Sequence, residues 1–167
     1  MSLFEPLFAA LNATGTRYVV VGGVATVLHG YARLTADVDL IVDLAPVPAR
    51  KLLDALVSLG FSPRAPVDAV KFADRETRER WAEEKGMQVF SLVDRANPMR
   101  AVDLFVRSPI EFEQLWSRAE VMTLESTTVR VAALDDLIAL KRMAARPQDL
   151  DDIEQLERIK RRREPEA

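Results

Sequence analysis

The stretch from residue 19 to 42, VVVGGVATVLHGYARLTADVDLIV, constrains the fold more than any other part of the chain. Short β-branched runs bounded by glycine predict buried strands. We therefore expect one strand that ends at Gly22 and Gly23 and a second that carries Asp37 and Asp39, with a short helix between them. A carboxylate within a buried strand is unfavourable unless positive charge meets it. The stretch predicts an α/β unit that holds a site for positive charge.

The rest of the chain continues this alternation of helices and strands. Apolar spacing and turn residues predict helices at 3–11, 24–30, 46–60, 74–86, 134–145 and 147–160, strands at 87–93 and 100–106, and a strand or extended link at 127–132. A further helix is expected to begin with Ser108 as its N-cap and Pro109 at its first position. Without an internal repeat or a long linker, residues 1–167 are predicted to form one domain, with an α/β core at about 17–106 and a helical C-terminal portion at about 108–160.

Composition excludes several classes of protein. The chain has no cysteine, which excludes disulfides and thiolate metal sites. A net charge of −3 argues against a globally basic nucleic-acid binder. No apolar run approaches the roughly 18 residues that a membrane span needs, and the N-terminus carries Glu5 and Pro6 where a signal peptide would be basic and then apolar. We therefore expect a cytoplasmic protein without a membrane partner.

The strand aspartates are the first candidate for chemistry. Asp37 and Asp39 lie two residues apart, so their side chains project from the same face of a strand. Asp103 lies on the face opposite its apolar neighbours in AVDLFV. If the two strands are adjacent, three carboxylates converge, and basic partners or a divalent cation would relieve their repulsion. Three hard oxygen donors favour Mg²⁺ or Mn²⁺ over Zn²⁺. The alternative is turn chemistry or surface ion pairs at a strand edge.

The double glycine is the second candidate. Gly22 and Gly23 lie at a predicted junction between a strand and a helix. Glycine allows a ligand to approach the backbone closely, and a helix N-terminus offers free N–H groups and the positive end of the helix dipole. Such a junction suits a triphosphate. The alternative is a tight turn that binds nothing.

Two signatures in the chain resemble a known family. GGVATVLHGYARLTADVDLIV resembles the nucleotidyltransferase superfamily of the DNA polymerase β type, whose motif joins Gly-Gly or Gly-Ser through a spacer to Asp-apolar-Asp-apolar. Its finer pattern and the later segment LDDLIALKRMAARPQDLDDIEQL are similar to the AbiEii-like branch, known from bacterial toxin–antitoxin and phage-defence systems. The resemblance covers about residues 18–156. It implies an α/β fold with a nucleotidyltransferase-like mixed β-sheet flanked by helices.

The resemblance also implies a reaction and a set of catalytic residues. An NMP would move from an NTP to an acceptor, with release of pyrophosphate. Asp37 and Asp39 would hold Mg²⁺ or Mn²⁺, and Asp103 would complete the metal site and take the proton of the acceptor hydroxyl. Lys141 would contact the nucleotide phosphates, and Asp149 would take part in nucleotide binding.

The nucleotide-binding residues include two departures from the superfamily motif. Gly22 and Gly23 would admit the triphosphate, but Gly23 stands where many members have a serine that contacts the phosphates. Arg33 and Thr35 precede the Asp pair and could reach phosphate or hold the loop. Gln148 stands where the second signature has a lysine, which weakens the second phosphate contact that the signature implies.

Lys141 has two interpretations on its residues alone. By i+3 and i+4 spacing it shares a helical stripe with Leu134, Leu137 and Ile138. A lysine on an inward stripe either extends its ammonium group to the surface or meets buried negative charge. The resemblance favours the second interpretation and implies a phosphate contact.

The acceptor stays open at this stage: a tRNA end, a protein hydroxyl and a small molecule are all compatible with the resemblance. In the toxin interpretation a cognate antitoxin is the expected partner. The rival hypothesis is a catalytically degenerate nucleotide-binding or interaction module of the same fold. Retention of Asp37, Asp39 and Asp103 favours the enzyme, because a module without catalysis has no need for their mutual repulsion.

Overall fold

A computed structural model describes residues 2–163. The strands of this part of the chain form one mixed sheet in the order β3-β4-β5-β2-β1-β7-β6. Their bounds are β1 Tyr18–Val21, β2 Asp37–Val42, β3 Phe61–Pro63, β4 Val89–Asp94, β5 Ala101–Phe105, β6 Glu120–Thr123 and β7 Thr128–Val131. The predicted α/β fold with a mixed sheet is therefore confirmed.

Helices pack beside this sheet. Within residues 2–163 the α-helices are α1 Glu5–Ala13, α2 Gly22–Leu28, α3 Pro46–Ser58, α4 Arg75–Lys85, α5 Phe112–Arg118, α6 Leu134–Ala144 and α7 Pro147–Arg163, and short 3₁₀ helices lie at Ser2–Phe4 and Ala69–Ala73. None of the helices in this part of the chain is long and apolar enough to cross a bilayer. α6 and α7 pack against each other and α6 also contacts α2, which brings the C-terminal helices next to the double glycine.

The centre of the sheet fixes the register of the strand aspartates. β1 pairs with β2 in antiparallel fashion and β2 pairs with β5 in parallel, with Asp39 opposite Asp103 and Asp37 opposite Ala101. β2 and β5 each bury apolar side chains that the solvent does not reach, such as Leu40 and Leu104. Burying these side chains stabilises the sheet by about 1.5–3 kcal/mol each. The apolar face of each strand therefore holds the carboxylates of the opposite face in a fixed register.

Two predicted helix starts are corrected. α2 begins at Gly22 and not at Val24, so both glycines lie inside its first turn. α5 begins at Phe112 rather than near Pro109. Glu111 caps this helix, because its carboxylate accepts hydrogen bonds from two backbone N–H groups of the first turn. The carboxylate offers two acceptors and a favourable charge at the positive end of the helix dipole, whereas the Ser108 hydroxyl bonds the Ile110 carbonyl instead.

The C-terminal portion contributes strands as well as helices. Residues 127–132, predicted as a strand or extended link, include β7, which pairs with β6 in antiparallel fashion and with β1 in parallel. The N–H of Ala132 donates to the carbonyl of Val20 at 3.0 Å and extends that pairing. All four residues of β1 are buried, since β1 lies inside the sheet between β2 and β7 and helices α2 and α5 contact it.

Candidate active site

The three strand aspartates line one cleft of about 280 Å³. Asp39 and Asp103 lie in register on adjacent parallel strands, and Asp37 lies two residues before Asp39 on the same face. Every other predicted site residue except Gly22 also lines this cleft: Gly23, Arg33, Thr35, Lys141 and Asp149. Leu34, Ala36, Arg146 and Gln148 complete the lining. The strand ends, the loop before β2 and the α6–α7 turn thus meet at one place.

The aspartates repel one another in this cleft. Burial raises the pKa of Asp39 to about 6, and the charge of Asp103 adds to the shift, with a smaller contribution from Asp37. Arg146 and a hydrogen bond from the Gly23 backbone act in the opposite direction without cancelling it. An unmet negative charge is therefore built into the centre of the cleft, as a cation site requires.

Asp39→Asn should stabilise the metal-free protein at neutral pH by about 2 kcal/mol, because asparagine removes a charge that is partly buried and repelled. In the folded protein the pKa of Asp39 is about 6, against an ordinary value of 3.8. The folded state therefore binds more protons than the unfolded chain between these pH values, and wild-type stability falls as pH rises through them. The gain from Asp39→Asn should be full above pH 7 and vanish below pH 4.

Urea unfolding in EDTA at pH 4 and pH 7.5 measures this prediction. Asp54→Asn on the exposed face of α3 is the matched control, since the ion pair between Asp54 and Arg50 is exposed to solvent. A stabilisation by Asp39→Asn that is equal at both pH values would contradict the charge argument.

The two glycines make room for site side chains. Gly22 has φ +65°, a conformation that side chains rarely adopt, and a Cβ there would lie 2.0 Å from Asp39 Oδ2. A Cβ on Gly23 would lie 2.5 Å from Thr35 Oγ1. The Gly23 N–H donates to Asp39. The glycines therefore let the Asp39 carboxylate and the loop before β2 pack directly onto the first turn of α2.

Lys141 meets buried negative charge and does not extend to the surface. Its side chain is 4% exposed, and Nζ lies 2.6 Å from Asp152 Oδ2 and 3.6 Å from Asp149 Oδ1. Arg33 Nη1 lies 2.6 Å from the same Asp152 oxygen. Asp152, itself 2% exposed, thus joins α6, α7 and the loop before β2 through one carboxylate.

Asp149 belongs to the same network of ion pairs and is bonded by Arg146. Its Oδ2 accepts from Arg146 Nε at 2.8 Å and from the Arg146 backbone N–H at 3.1 Å. Burial alone would raise the pKa of Asp149, but the bonds from Arg146 outweigh it and the pKa lies below its ordinary value. Gln148, in the amide orientation that satisfies its partners, accepts from Arg33 Nη2 at 2.8 Å and Nε at 3.3 Å. The residue that replaces the signature lysine therefore serves to hold Arg33.

A sharp turn between α6 and α7 positions these groups. Ala145 has φ +50°, which is uncommon for a residue other than glycine, and its N–H donates to the Lys141 carbonyl at 2.9 Å. The turn ends α6 and places Arg146 at the cleft. Sequence reasoning missed Arg146. The available signal was its place within the second signature, three residues before Asp149.

His29, the single histidine of the chain, lies outside this cleft. It is 3% exposed, and its Nε2 lies 2.8 Å from the carbonyl oxygen of Ala132, to which it donates. Burial lowers the pKa of His29, so the ring is neutral at physiological pH. His29 therefore links the end of α2 to the segment after β7 and is not placed for proton transfer at the aspartates.

The donor set fits a hard divalent cation. The cleft offers carboxylate oxygens from aspartates on adjacent strands. The chain has no cysteine, and its single histidine lies outside the cleft. Within residues 2–163 no group of three or more Asp, Glu, His or Cys side chains is arranged so that it could hold a metal ion by itself. Mg²⁺ usually takes one or two protein carboxylates and completes its shell with water and substrate phosphates. Neighbouring carboxylates beside a glycine turn meet that requirement.

The sequence as a whole identifies the family. The profile of the family described as nucleotidyltransferase of unknown function (DUF6036) matches residues 2–162. The chain belongs to this nucleotidyltransferase family. The predicted membership of the wider nucleotidyltransferase group is therefore confirmed. No curated protein matches the chain in sequence.

Solved structures share the family's fold at low sequence identity. The lincosamide antibiotic adenylyltransferase LnuA, bound to lincomycin, superposes with a TM-score of 0.61 at 13% identity, covering 94% of this chain and 95% of that chain. ANT(2")-Ia in complex with adenylyl-2"-tobramycin gives 0.56 at 14%, covering 95% and 92%. An antigenic nucleotidyltransferase-like protein from Paracoccidioides brasiliensis gives 0.59 at 16%, covering 93% and 73%. These likenesses show that the fold is that of nucleotidyltransferases.

Proposed function

We propose that this family member transfers a nucleoside monophosphate from an NTP to an acceptor hydroxyl in a reaction that depends on Mg²⁺ or Mn²⁺. The observation that carries the proposal is the meeting of Asp37, Asp39 and Asp103 on adjacent strands, next to the first turn of α2. A structural role does not account for this arrangement, because it places mutually repelling carboxylates side by side in the cleft.

Each residue of the cleft has a task in this proposal. Asp37 and Asp39 would bind the cation, which when bound neutralises charge that develops on the triphosphate. Asp103 would accept the proton of the acceptor hydroxyl as its oxygen attacks the α-phosphorus, while the bond to the bridging oxygen breaks and pyrophosphate leaves. Gly22 and Gly23 keep the backbone of the α2 N-terminus open to the triphosphate. Lys141 contributes positive charge from the back of the cleft.

Transfer of labelled nucleotide tests the proposal. The protein is incubated with Mg²⁺, each NTP in turn and an acceptor source. Label at the α-phosphate should enter the acceptor, and label at the γ-phosphate should leave as pyrophosphate. Transfer of γ-label would indicate a kinase-type reaction. A protein that binds NTP and metal but transfers neither label to lysate, RNA or itself would favour the rival hypothesis of a degenerate binding module.

The acceptor panel follows from the family and the neighbours. Two solved neighbours carry lincomycin and an adenylylated tobramycin, so small hydroxylated antibiotics form the first arm. Total bacterial RNA with its tRNA ends and proteins with exposed hydroxyl groups form the second and third. Transfer to RNA or protein would favour the AbiEii-like assignment, with a cognate antitoxin as the partner. Growth arrest on expression, relieved by Asp103→Asn, would support a toxin.

Metal binding has a measurable consequence of its own. Millimolar Mg²⁺ should raise the melting temperature, and a non-hydrolysable NTP should raise it further, because both bind the folded state only. For a chain of this size each kcal/mol of stabilisation by ligand binding raises the melting temperature by about 2–4 °C. Asp39→Asn should remove the Mg²⁺ increment, compared with its own melting temperature in EDTA. A wild-type protein whose melting temperature does not respond to metal, with or without nucleotide, would count against the proposal.

A further inference from the structure

We infer that Arg146 is the residue that makes the direct cationic contact with the triphosphate, and that it exchanges Asp149 for phosphate when the nucleotide binds. The inference rests on the proposed function and deepens it. It assigns the phosphate contact to an exposed arginine on the α6–α7 turn rather than to the buried Lys141.

The other two cations of the cleft are already committed. Lys141 is 4% exposed and Arg33 is 17% exposed at the side chain, and both lie 2.6 Å from Asp152 Oδ2. Gln148 holds the remaining edge of the Arg33 guanidinium. Withdrawal of either cation would leave Asp152 with weaker compensation in a site that water does not reach. Their charges can act on a ligand at a distance, but each side chain is tied to the buried Asp152 carboxylate.

Arg146 differs from these two cations in exposure. Its side chain is 72% exposed, although its partner Asp149 is 2% exposed. It lines the same cleft as the strand aspartates, and its charge opposes part of the rise in the pKa of Asp39. The planar guanidinium group also suits phosphate, because it can offer two parallel N–H donors.

Release of Arg146 does not leave Asp149 without compensation. Lys141 Nζ lies 3.6 Å from Asp149 Oδ1, and the Arg146 backbone N–H bonds Oδ2 at 3.1 Å whatever its side chain does. Asp149 thus holds Arg146 in the free protein and can give it up. The anion that takes the place of Asp149 brings more negative charge and more acceptor oxygens than a carboxylate does.

The test compares Arg146→Ala with wild type, using Mg-tripolyphosphate and Mg-ATP as probes in calorimetric titrations. Loss of one charge-assisted contact should raise the Kd of both probes by about 10- to 100-fold. Arg146→Lys, which keeps the charge but lacks the two-pronged geometry, should give an intermediate Kd. The matched control is Arg142→Ala, because Arg142 is exposed in the last turn of α6, pairs with Glu157 and does not line the cleft.

Circular dichroism and melting curves establish that each variant is folded. Unchanged Kd values for both probes in folded Arg146→Ala would overturn the inference while the proposed function stands. A rise confined to ATP would also overturn it, because tripolyphosphate carries no base or sugar. A wild-type protein that binds neither probe would refute the proposed function and the inference with it. Asp149→Asn supplies a second measurement, since removal of the competing carboxylate should leave tripolyphosphate affinity at least as high as in wild type.

Discussion

Asp103→Asn should slow nucleotide transfer by about 10²- to 10⁴-fold, the usual contribution of a positioned general base, while NTP affinity stays within a few-fold of wild type. Asp103 lies opposite Asp39 at the cleft, whereas the glycine turn, Asp37 and the α6–α7 residues all remain intact in this variant. Asparagine keeps the shape of the side chain but neither accepts a proton nor carries charge.

The measurements are single-turnover transfer of α-labelled NTP and a separate NTP titration. Asp135→Asn is the control, because Asp135 is exposed and its partner is Lys160 on the outer side of α7. Transfer at the wild-type rate in Asp103→Asn would show that the Asp103 carboxylate is not needed for the chemistry. Loss of NTP binding in parallel with transfer would instead assign Asp103 to nucleotide and metal binding alone.

Lys141→Met should lower the free energy of unfolding by about 3 kcal/mol, although methionine preserves the apolar stem. Removing one partner of a buried ion pair leaves the other charge uncompensated, with typical costs of 3–5 kcal/mol. Asp152 would keep Arg33, and Asp149 would keep Arg146, so we expect the lower end of that range.

Urea unfolding at pH 7.5 measures the effect on stability. Lys51→Met on the exposed face of α3 is the matched control and should change stability by no more than about 0.5 kcal/mol. The double variant Lys141→Met/Asp152→Asn should lose less than the two single variants together, because the charges interact directly at 2.6 Å. Wild-type stability in Lys141→Met would show that the network of Lys141, Asp149 and Asp152 contributes little to the fold.

The helix starts illustrate how local signals were misjudged. Pro109 favours the first turn of a helix, yet α5 begins three residues later, where Glu111 supplies a better cap. α2 begins at the first glycine, Gly22, whose φ of +65° and missing Cβ leave room for the Asp39 carboxylate. At the start of α5 the capping side chain decided the position.

The sequence by itself determined the central strands and the chemistry of their side chains, but it did not predict β3 or β6. Alternation placed Asp37 and Asp39 on one face of β2 and Asp103 on the polar face of β5, and β-branched runs bounded by glycine marked the central strands. The two signatures named the nucleotidyltransferase group, which the family match confirms. These features are local, because side-chain alternation and the glycine turn depend only on neighbouring residues.

Only the tertiary structure decided which distant residues meet. Parallel pairing of β2 with β5 sets Asp39 opposite Asp103, although the two residues are far apart in the sequence. No local rule fixes that register. Lys141 could have reached solvent by its spacing alone, and it is buried because α7 brings Asp152 to it. Ala145 has a left-handed conformation that alanine does not prefer, at the turn that joins the packed helices α6 and α7, and this turn brings Arg146 to the cleft.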